Sequence, residues 1–263
     1  MIYSPDIDPV ALAIGPLKVH WYGLGYLCAF LMALWLGKRR ARRGLFEIQE
    51  SQIEDFVFYA AIGVMLGGRI GYVLFYHFGY FLENPLWLFK INEGGMSWHG
   101  GAIGFLIGIF LYARKIGSSY GSLMDLAVST SPFGIGLVRV TNFINQELWG
   151  RATDAPWGMI FTRDPAQIAR HPSQLYEAFL EGLVLFFVMQ YLCRTKQPPY
   201  RISGIFMILY GIFRFGVEFF REPDHHIGLE WFGWMTRGQE LTVPVIMLGI
   251  FLYALSCRQA KAV

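Results

Sequence analysis

"HWYGLGYLCAFLMALWLGKRRARR", residues 20–43, decides the fold. Residues 20–37 are apolar and rich in aromatic and small side chains, and Lys38, Arg39, Arg40, Arg42 and Arg43 follow at once. A membrane-crossing helix needs about 20 mostly apolar residues. Lysine and arginine collect at its cytoplasmic end, while Trp and Tyr favour the interfaces. The stretch therefore reads as a transmembrane helix, with Trp21 and Tyr22 at the outer interface and the basic run as a cytoplasmic anchor.

The rest of the chain repeats the pattern. Of its 263 residues, 54% are hydrophobic and 16% charged, against about 25% charged in an average globular domain. We expect an all-α polytopic membrane protein, a single integral membrane domain over 1–263. Seven apolar stretches qualify, roughly 20–37, 56–78, 97–113, 122–142, 174–193, 203–220 and 240–257. The fourth is interrupted by Asp125, Ser129, Thr130, Ser131 and Pro132. The loops 38–55, 114–121, 194–202 and 258–263 hold the larger share of lysine and arginine, which places the N-terminus outside and the C-terminus in the cytoplasm. The longest outer loop, about 143–173, reads as a small periplasmic cap with β-like pieces such as "WGMIF". The opening "MIYSPDIDPVALAIGPLK" has no basic leader and reads as an interfacial segment, not a signal peptide. Cys28, Cys193 and Cys257 are few, odd in number and far apart, and read as small buried hydrophobes.

Three arginines, Arg69, Arg139 and Arg214, lie within or at the edge of apolar stretches. A charge at the bilayer centre costs about 2.5–3.5 kcal/mol on insertion scales, so such residues face protein or a wet cavity. In "LYGIFRFGVEFFREPD" (209–224), Tyr210, Arg214, Glu218 and Arg221 fall on one helical face. An Arg214–Glu218 pair could neutralise itself. Two arginines to one glutamate still leave a surplus cation, which points to an anion outside the sequence, such as a lipid phosphate.

In "VRVTNFINQELWGR" (138–151), Arg139 shares a face with Asn142 and Gln146, and Asn145 and Glu147 follow. A polar helix end satisfied by its own loop explains Asn145 and Gln146; it does not explain the deeper Arg139. Arg69, in "GGRIGYVLFY" (67–76) with Tyr72 and Tyr76, suits either a bridge to backbone carbonyls or a ligand contact. In "GGMSWHGGAIG" (94–104), His99 is flanked by Gly94, Gly95, Gly100, Gly101 and Gly104. So many glycines imply close approach of a backbone or a ligand. A neutral imidazole there could take a proton from a thiol or alcohol. No carboxylate or second histidine has metal-ligand spacing to His99, so no metal is expected. His225 and His226 read as solvated loop residues. In "RHPSQLYE" (170–177), Ser173 reads as a helix N-cap after Pro172. Tyr22 belongs to the aromatic belt or reaches inward as a donor. Arg139, Arg214, His99, Tyr22 and Glu147 together would make a positively charged, partly wet cavity that holds an anionic lipid head group.

These motifs, "HWYGLGY", "GGRIGYVLFY", "GGMSWHGG", "FINQELWGR" after Arg-x-x-Asn, "HPSQLYE" and "YGIFRFGVEFFREPD", resemble those of the bacterial prolipoprotein diacylglyceryl transferases. The resemblance covers about residues 6–250. It implies a multi-pass enzyme of the bacterial inner membrane with its active site toward the periplasmic leaflet. Such an enzyme transfers the sn-1,2-diacylglyceryl group of phosphatidylglycerol to the lipobox cysteine of a prolipoprotein signal peptide. A thioether forms and glycerol-1-phosphate leaves, as the first step of lipoprotein maturation. Arg139, Asn142, Glu147 and Gly150 match the family signature, His99 its His-Gly-Gly position, Arg214 and Tyr210 its second arginine region, and Tyr22 its first-span tyrosine.

The catalytic candidates are Arg139, Arg214, His99, Glu147 and Tyr22, with Arg139 and Arg214 on the leaving phosphate, His99 as the base and Glu147 orienting Arg139 or a loop. Asn142, Asn145, Gly150, Tyr210, Glu218, Arg69 and Gly100 are candidate substrate contacts. Thr141 departs from the family's glycine and adds a β-branched side chain where close packing is expected. Neither a cofactor nor a nucleic-acid partner is expected. A transporter is disfavoured because the arginines gather at one leaflet and no repeat pairs the halves. A retinal-type sensor would need a lysine within a span. A lipid-binding protein without turnover shares every residue feature of the enzyme.

Overall fold

The computed structural model describes residues 2–15, 17–90, 94–223 and 235–261. His225 and His226 lie outside them. Seven long helical stretches occupy the seven apolar runs: α1 Trp21–Arg42, α2 Ile53–Tyr76, α4 Trp98–Ile116, α5 Tyr120–Ile144, the run 173–192, α8 Arg201–Val217 and α9 Arg237–Lys261. The run 173–192 is built from α6 Ser173–Glu177, a π-helical segment Ala178–Val184, and α7 Leu185–Leu192. A short helix, α3, spans Phe78–Glu83. Among the described residues, four stretches, Glu50–Tyr76, Tyr120–Ile144, Ser173–Leu192 and Arg237–Ala260, are long and apolar enough to cross a membrane.

The expected interruption of the fourth run does not occur. α5 passes through Pro132 unbroken. Ser129, Thr130 and Ser131 donate their hydroxyls to Leu126 O (2.6 Å), Ala127 O (2.9 Å) and Ala127 O (2.9 Å). Polar side chains that bond back onto their own helix remain compatible with apolar surroundings.

The chain is not purely helical, and it divides into two compact units. In the first, Met1–Leu36 with Asp125–Val263, β2 Val10–Ile14 and β3 Leu17–His20 form an antiparallel hairpin in the segment read as merely interfacial. β1 Ile2–Tyr3 pairs in parallel with β4 Met159–Ile160, which pairs antiparallel with β5 Ala169–Arg170. The β-like "WGMIF" thus does supply a strand. Around it, Phe161 is fully buried, stacked on Trp149 at 5.9 Å and edge-on to Phe143 at 6.1 Å. Asp164 binds Arg170 at 2.5 Å. Burial pushes the Asp164 carboxyl up, but Arg170 and the Ala166 and Ile168 amides outweigh it and hold the group below its ordinary 3.8.

The second unit, Gly37–Met124, is organised by glycine. Gly63, Gly67 and Gly71 of α2 meet Gly100, Gly104 and Gly108 of α4. A Cβ on Gly71 would lie 2.8 Å from Gly100 Cα, and one on Gly67 would lie 2.7 Å from Gly104 Cα. Backbones that touch in this way gain dispersion contacts that lipid cannot supply. Of the three cysteines, Cys193 is buried, Cys257 intermediate and Cys28 exposed, so the expectation of burial fails at Cys28.

Candidate functional site

The expected surplus of cations is overturned. Glu177 and Glu181, from the run 173–192, meet Arg139 of α5 and Arg214 of α8 inside the first unit. Arg139 Nε lies 3.0 Å from Glu177 Oε2, and its Nη2 lies 3.8 Å from Glu181 Oε2. Arg214 Nη1 donates to Glu177 Oε1, and its Nη2 pairs with Glu218 Oε2 at 2.8 Å. Arg221 Nη1 reaches Glu177 Oε1 at 3.5 Å. Three arginines therefore face three carboxylates. Glu177 and Glu181 were legible by the rule applied to the arginines: they are ionisable groups four residues apart in the apolar run 174–193.

The cluster is layered. The carboxylate side chains of Glu177 and Glu181 are 1% and 0% exposed, while Arg139 keeps 17% and Arg214 and Arg221 keep 14% each. An anion entering this site meets guanidinium edges first, with the neutralising charge beneath them. The local positive face arises from this order, with three arginines to three carboxylates among the described residues.

Local sequence explains how the layers come together. Gly136 lies one helical turn before Arg139, and Gly182 follows Glu181. A Cβ on Gly182 would stand 2.5 Å from Gly136 Cα, so α5 and the π segment touch backbone to backbone. That contact sets Glu181 under Arg139. π turns recur at functional sites. Arg221 arrives by a route that helical spacing did not anticipate: α8 ends at Val217, and Arg221 pairs with Gly150 in an antiparallel bridge.

Glu147 does not engage Arg139. Its carboxylate takes hydrogen bonds from the Tyr22 hydroxyl and, at 3.0 Å, from Asn142 Nδ2, which also reaches the Tyr22 oxygen. Tyr22 thus turns inward and ties α1 to the loop after α5. Glu147 sits between Gln146 and Leu148, whose φ angles of 51° and 58° lie in the left-handed region that non-glycine residues seldom adopt. Gln174, absent from the expected set, donates to Glu147 O at 2.7 Å. Gln146 accepts from Thr162 Oγ1 at 3.0 Å and from the Arg163 amide at 3.2 Å. The Asn145 carbonyl accepts from Arg163 Nη1 at 3.0 Å. Gly150 has a backbone reason to be glycine, since a Cβ there would lie 2.6 Å from His171 O and also strike Phe220 O. Ser173 does not act as an N-cap; Pro172 holds that position, and the Ser173 hydroxyl donates to Leu148 O at 3.1 Å.

Thr141 fits without strain. Its hydroxyl donates to Leu137 O at 2.9 Å. Its oxygen would stand 3.4 Å from a Cβ on Gly25, so the bare glycine of α1 leaves room for the branched side chain. Tyr210 stacks on Phe206 at 5.8 Å with rings nearly parallel. Glu218 also accepts from Thr236 Oγ1 at 3.0 Å.

Arg69, Gly100 and His99 belong to the second unit. Arg69 is 2% exposed and donates to the carbonyls of Trp87 (2.6 Å), Leu88 (3.0 Å) and Gly94 (2.5 Å), above the Trp87 ring at 4.5 Å. Of its two sequence readings, this geometry is the carbonyl bridge. Gly100 is at the helix seam, where a Cβ would lie 2.9 Å from Gly71 Cα. His99 is exposed at the start of α4, edge-on to Trp98 at 5.1 Å.

The family model for "Prolipoprotein diacylglyceryl transferase" matches residues 9–255. Curated relatives carry the name phosphatidylglycerol–prolipoprotein diacylglyceryl transferase. That of Teredinibacter turnerae is 52% identical, covering 97% of this chain and 93% of its own. That of Methylococcus capsulatus is 49% identical over 100% of both chains. That of Coxiella burnetii is 48% identical, covering 95% of this chain and 96% of its own. Six motifs, one helical frame and this degree of identity converge: the chain belongs to the prolipoprotein diacylglyceryl transferase family.

Proposed function

We propose that this protein transfers the sn-1,2-diacylglyceryl group of phosphatidylglycerol to the lipobox cysteine of prolipoproteins, the first step of lipoprotein maturation. The relatives' shared name supports the reaction. The observation that carries the site is the guanidinium layer of Arg139, Arg214 and Arg221 over buried carboxylates. Sulfur attacks the glycerol carbon that bears the phosphate. A carbon–sulfur bond forms, the carbon–oxygen bond breaks, and glycerol-1-phosphate leaves with the electron pair. Negative charge grows on the leaving phosphate, where guanidinium donors bind the transition state better than the ground state.

The thiol proton must pass to a base. His99 is the candidate on its chemistry, an exposed imidazole in a glycine-rich motif. Tyr22, Asn142 and Glu147 position the loop that follows Arg139. All seven long helices cross the bacterial inner membrane, with the N-terminus outside, the C-terminus cytoplasmic and the site at the periplasmic leaflet. The location of the basic runs supports this orientation.

The test uses the full chain in detergent with phosphatidylglycerol and a synthetic lipobox peptide. Mass spectrometry should show the peptide gaining one diacylglyceryl unit while glycerol-1-phosphate appears, and Arg139→Ala should abolish both. Retained lipid binding without a mass shift would reduce the protein to a lipid binder. Near-normal rates for His99→Gln across pH would remove histidine from the proton transfer.

A further inference from the structure

The three carboxylates of the cluster are not equivalent. Glu177 lies within 3.5 Å of all three arginines. Glu218 pairs with Arg214 at 2.8 Å and accepts from Thr236 at 3.0 Å. Glu181 is fully buried, yet its nearest guanidinium nitrogens stand 3.8 and 3.9 Å away. Among the described residues, neither of its oxygens takes a hydrogen bond. Arg139 Nε and both Arg214 terminal nitrogens are already engaged by Glu177 and Glu218. Glu181 adds only longer contacts to arginines that Glu177 and Glu218 already hold. Yet a buried carboxylate short of hydrogen bonds costs free energy. In its ionised form it sets a negative charge beneath the guanidinium layer, on a segment held there by the Gly136–Gly182 contact.

We infer that Glu181 is a specificity-determining residue for phosphate charge: it weakens the hold of Arg139 and Arg214 on the phosphomonoester product more than on the phosphodiester substrate. This rests on the reading that these arginines receive the lipid phosphate. A phosphodiester carries one negative charge. A phosphomonoester carries nearly two at pH 7, because its second pKa is about 6. A fixed charge repels the second species about twice as strongly as the first, and in a low-dielectric site that difference is large. The chemistry turns a monoanion into a near-dianion on the same arginines. Without a counter-charge, the product would bind more tightly than the substrate and stall turnover.

The experiment measures the Kd of glycerol-1-phosphate by calorimetry on the detergent-purified full chain, beside KM and kcat for phosphatidylglycerol in the transfer assay. Glu181→Gln should tighten glycerol-1-phosphate about tenfold, lower KM only about threefold and reduce kcat through slow release. Glu181→Asp, which keeps the charge but withdraws it by one methylene, should tighten product about twofold. It serves as the test by itself if Glu181→Gln does not accumulate folded. A residue that merely holds the fold would lower kcat or yield and leave the ratio of the two affinities unmoved. Unchanged or weakened product binding in both variants, with Arg139→Gln weakening it, overturns the role of Glu181 and leaves the arginine reading intact. Undiminished product binding in Arg139→Gln overturns both.

Discussion

The α2–α4 seam and the arginine–carboxylate cluster answer one problem in opposite ways. In an apolar solvent, helices gain little from burying more apolar surface. The seam discards side chains and lets backbones touch through Gly63, Gly67, Gly71, Gly100, Gly104 and Gly108. The cluster instead buries Glu177 and Glu181 beneath three arginines. The seam tolerates almost no added volume, and the cluster almost no change of charge. Where they meet in principle is Gly136 against Gly182, a backbone contact used to aim a carboxylate.

The largest effect should come from breaking the charge balance. Glu177→Gln takes from Arg139, Arg214 and Arg221 the one carboxylate they share, and removing one partner of a buried ion pair costs about 3–5 kcal/mol. The thermal midpoint in detergent should fall sharply, with transfer lost. If Glu177→Gln melts with wild type, the carboxylates are not what holds the arginines. Next is the seam. Gly104→Leu should cost about 3 kcal/mol or more by overpacking, since a Cβ there would lie 2.9 Å from Gly67 Cα. Gly101→Ala sharpens the contrast. Its Cβ would make ordinary contacts at 3.6 Å with Val64, so it should be neutral or gain up to about 1 kcal/mol of helix propensity.

A smaller effect is expected for Tyr22→Phe. It leaves Glu147 and Asn142 short of one hydrogen-bonding partner, at about 1–3 kcal/mol, and frees the loop after α5. Limited proteolysis within 143–150 should speed up, and it should not for a substitution at exposed Tyr26. The smallest is set by pH. Asp164 has a folded-state pKa below its ordinary 3.8. Its contribution is therefore complete above about 3.8 and lost as pH falls through the depressed folded value. Asp164→Asn should lower stability at neutral pH and flatten the midpoint-versus-pH curve in acid. A curve with wild-type slope would sink the role of the Asp164–Arg170 pair.

The helices were legible because hydrophobic length and periodicity are local properties. All seven long helices stand on the seven apolar runs. The hairpin β2–β3 was not, since Val10–Ile14 carries no alternation strong enough to mark a strand. In the cluster, Arg139 and Arg214 were found by their cost in an apolar run and Glu218 by sharing a helical face with Arg214, while Glu177 and Glu181, which pay the same cost, were passed over. Arg69 and Gly100 matched two readings each, and nothing in a sequence distinguishes a carbonyl or a glycine from a ligand as the neighbour.

The sequence by itself determined a membrane-embedded helical chain, its family, and the arginines at its polar centre. Those follow from composition, period and motif, which need no knowledge of what folds against what. Only the tertiary structure decided which carboxylates face those arginines. Glu177 lies 38 residues from Arg139 and 37 from Arg214 in the chain, and the touching backbones of Gly136 and Gly182, with Phe133 packed on Phe186, bring its run against α5. Coulomb energy depends on distance in space, and distance along the chain does not report it. A surplus of cations on one helix thus became a balanced, layered site once the folded neighbours were counted.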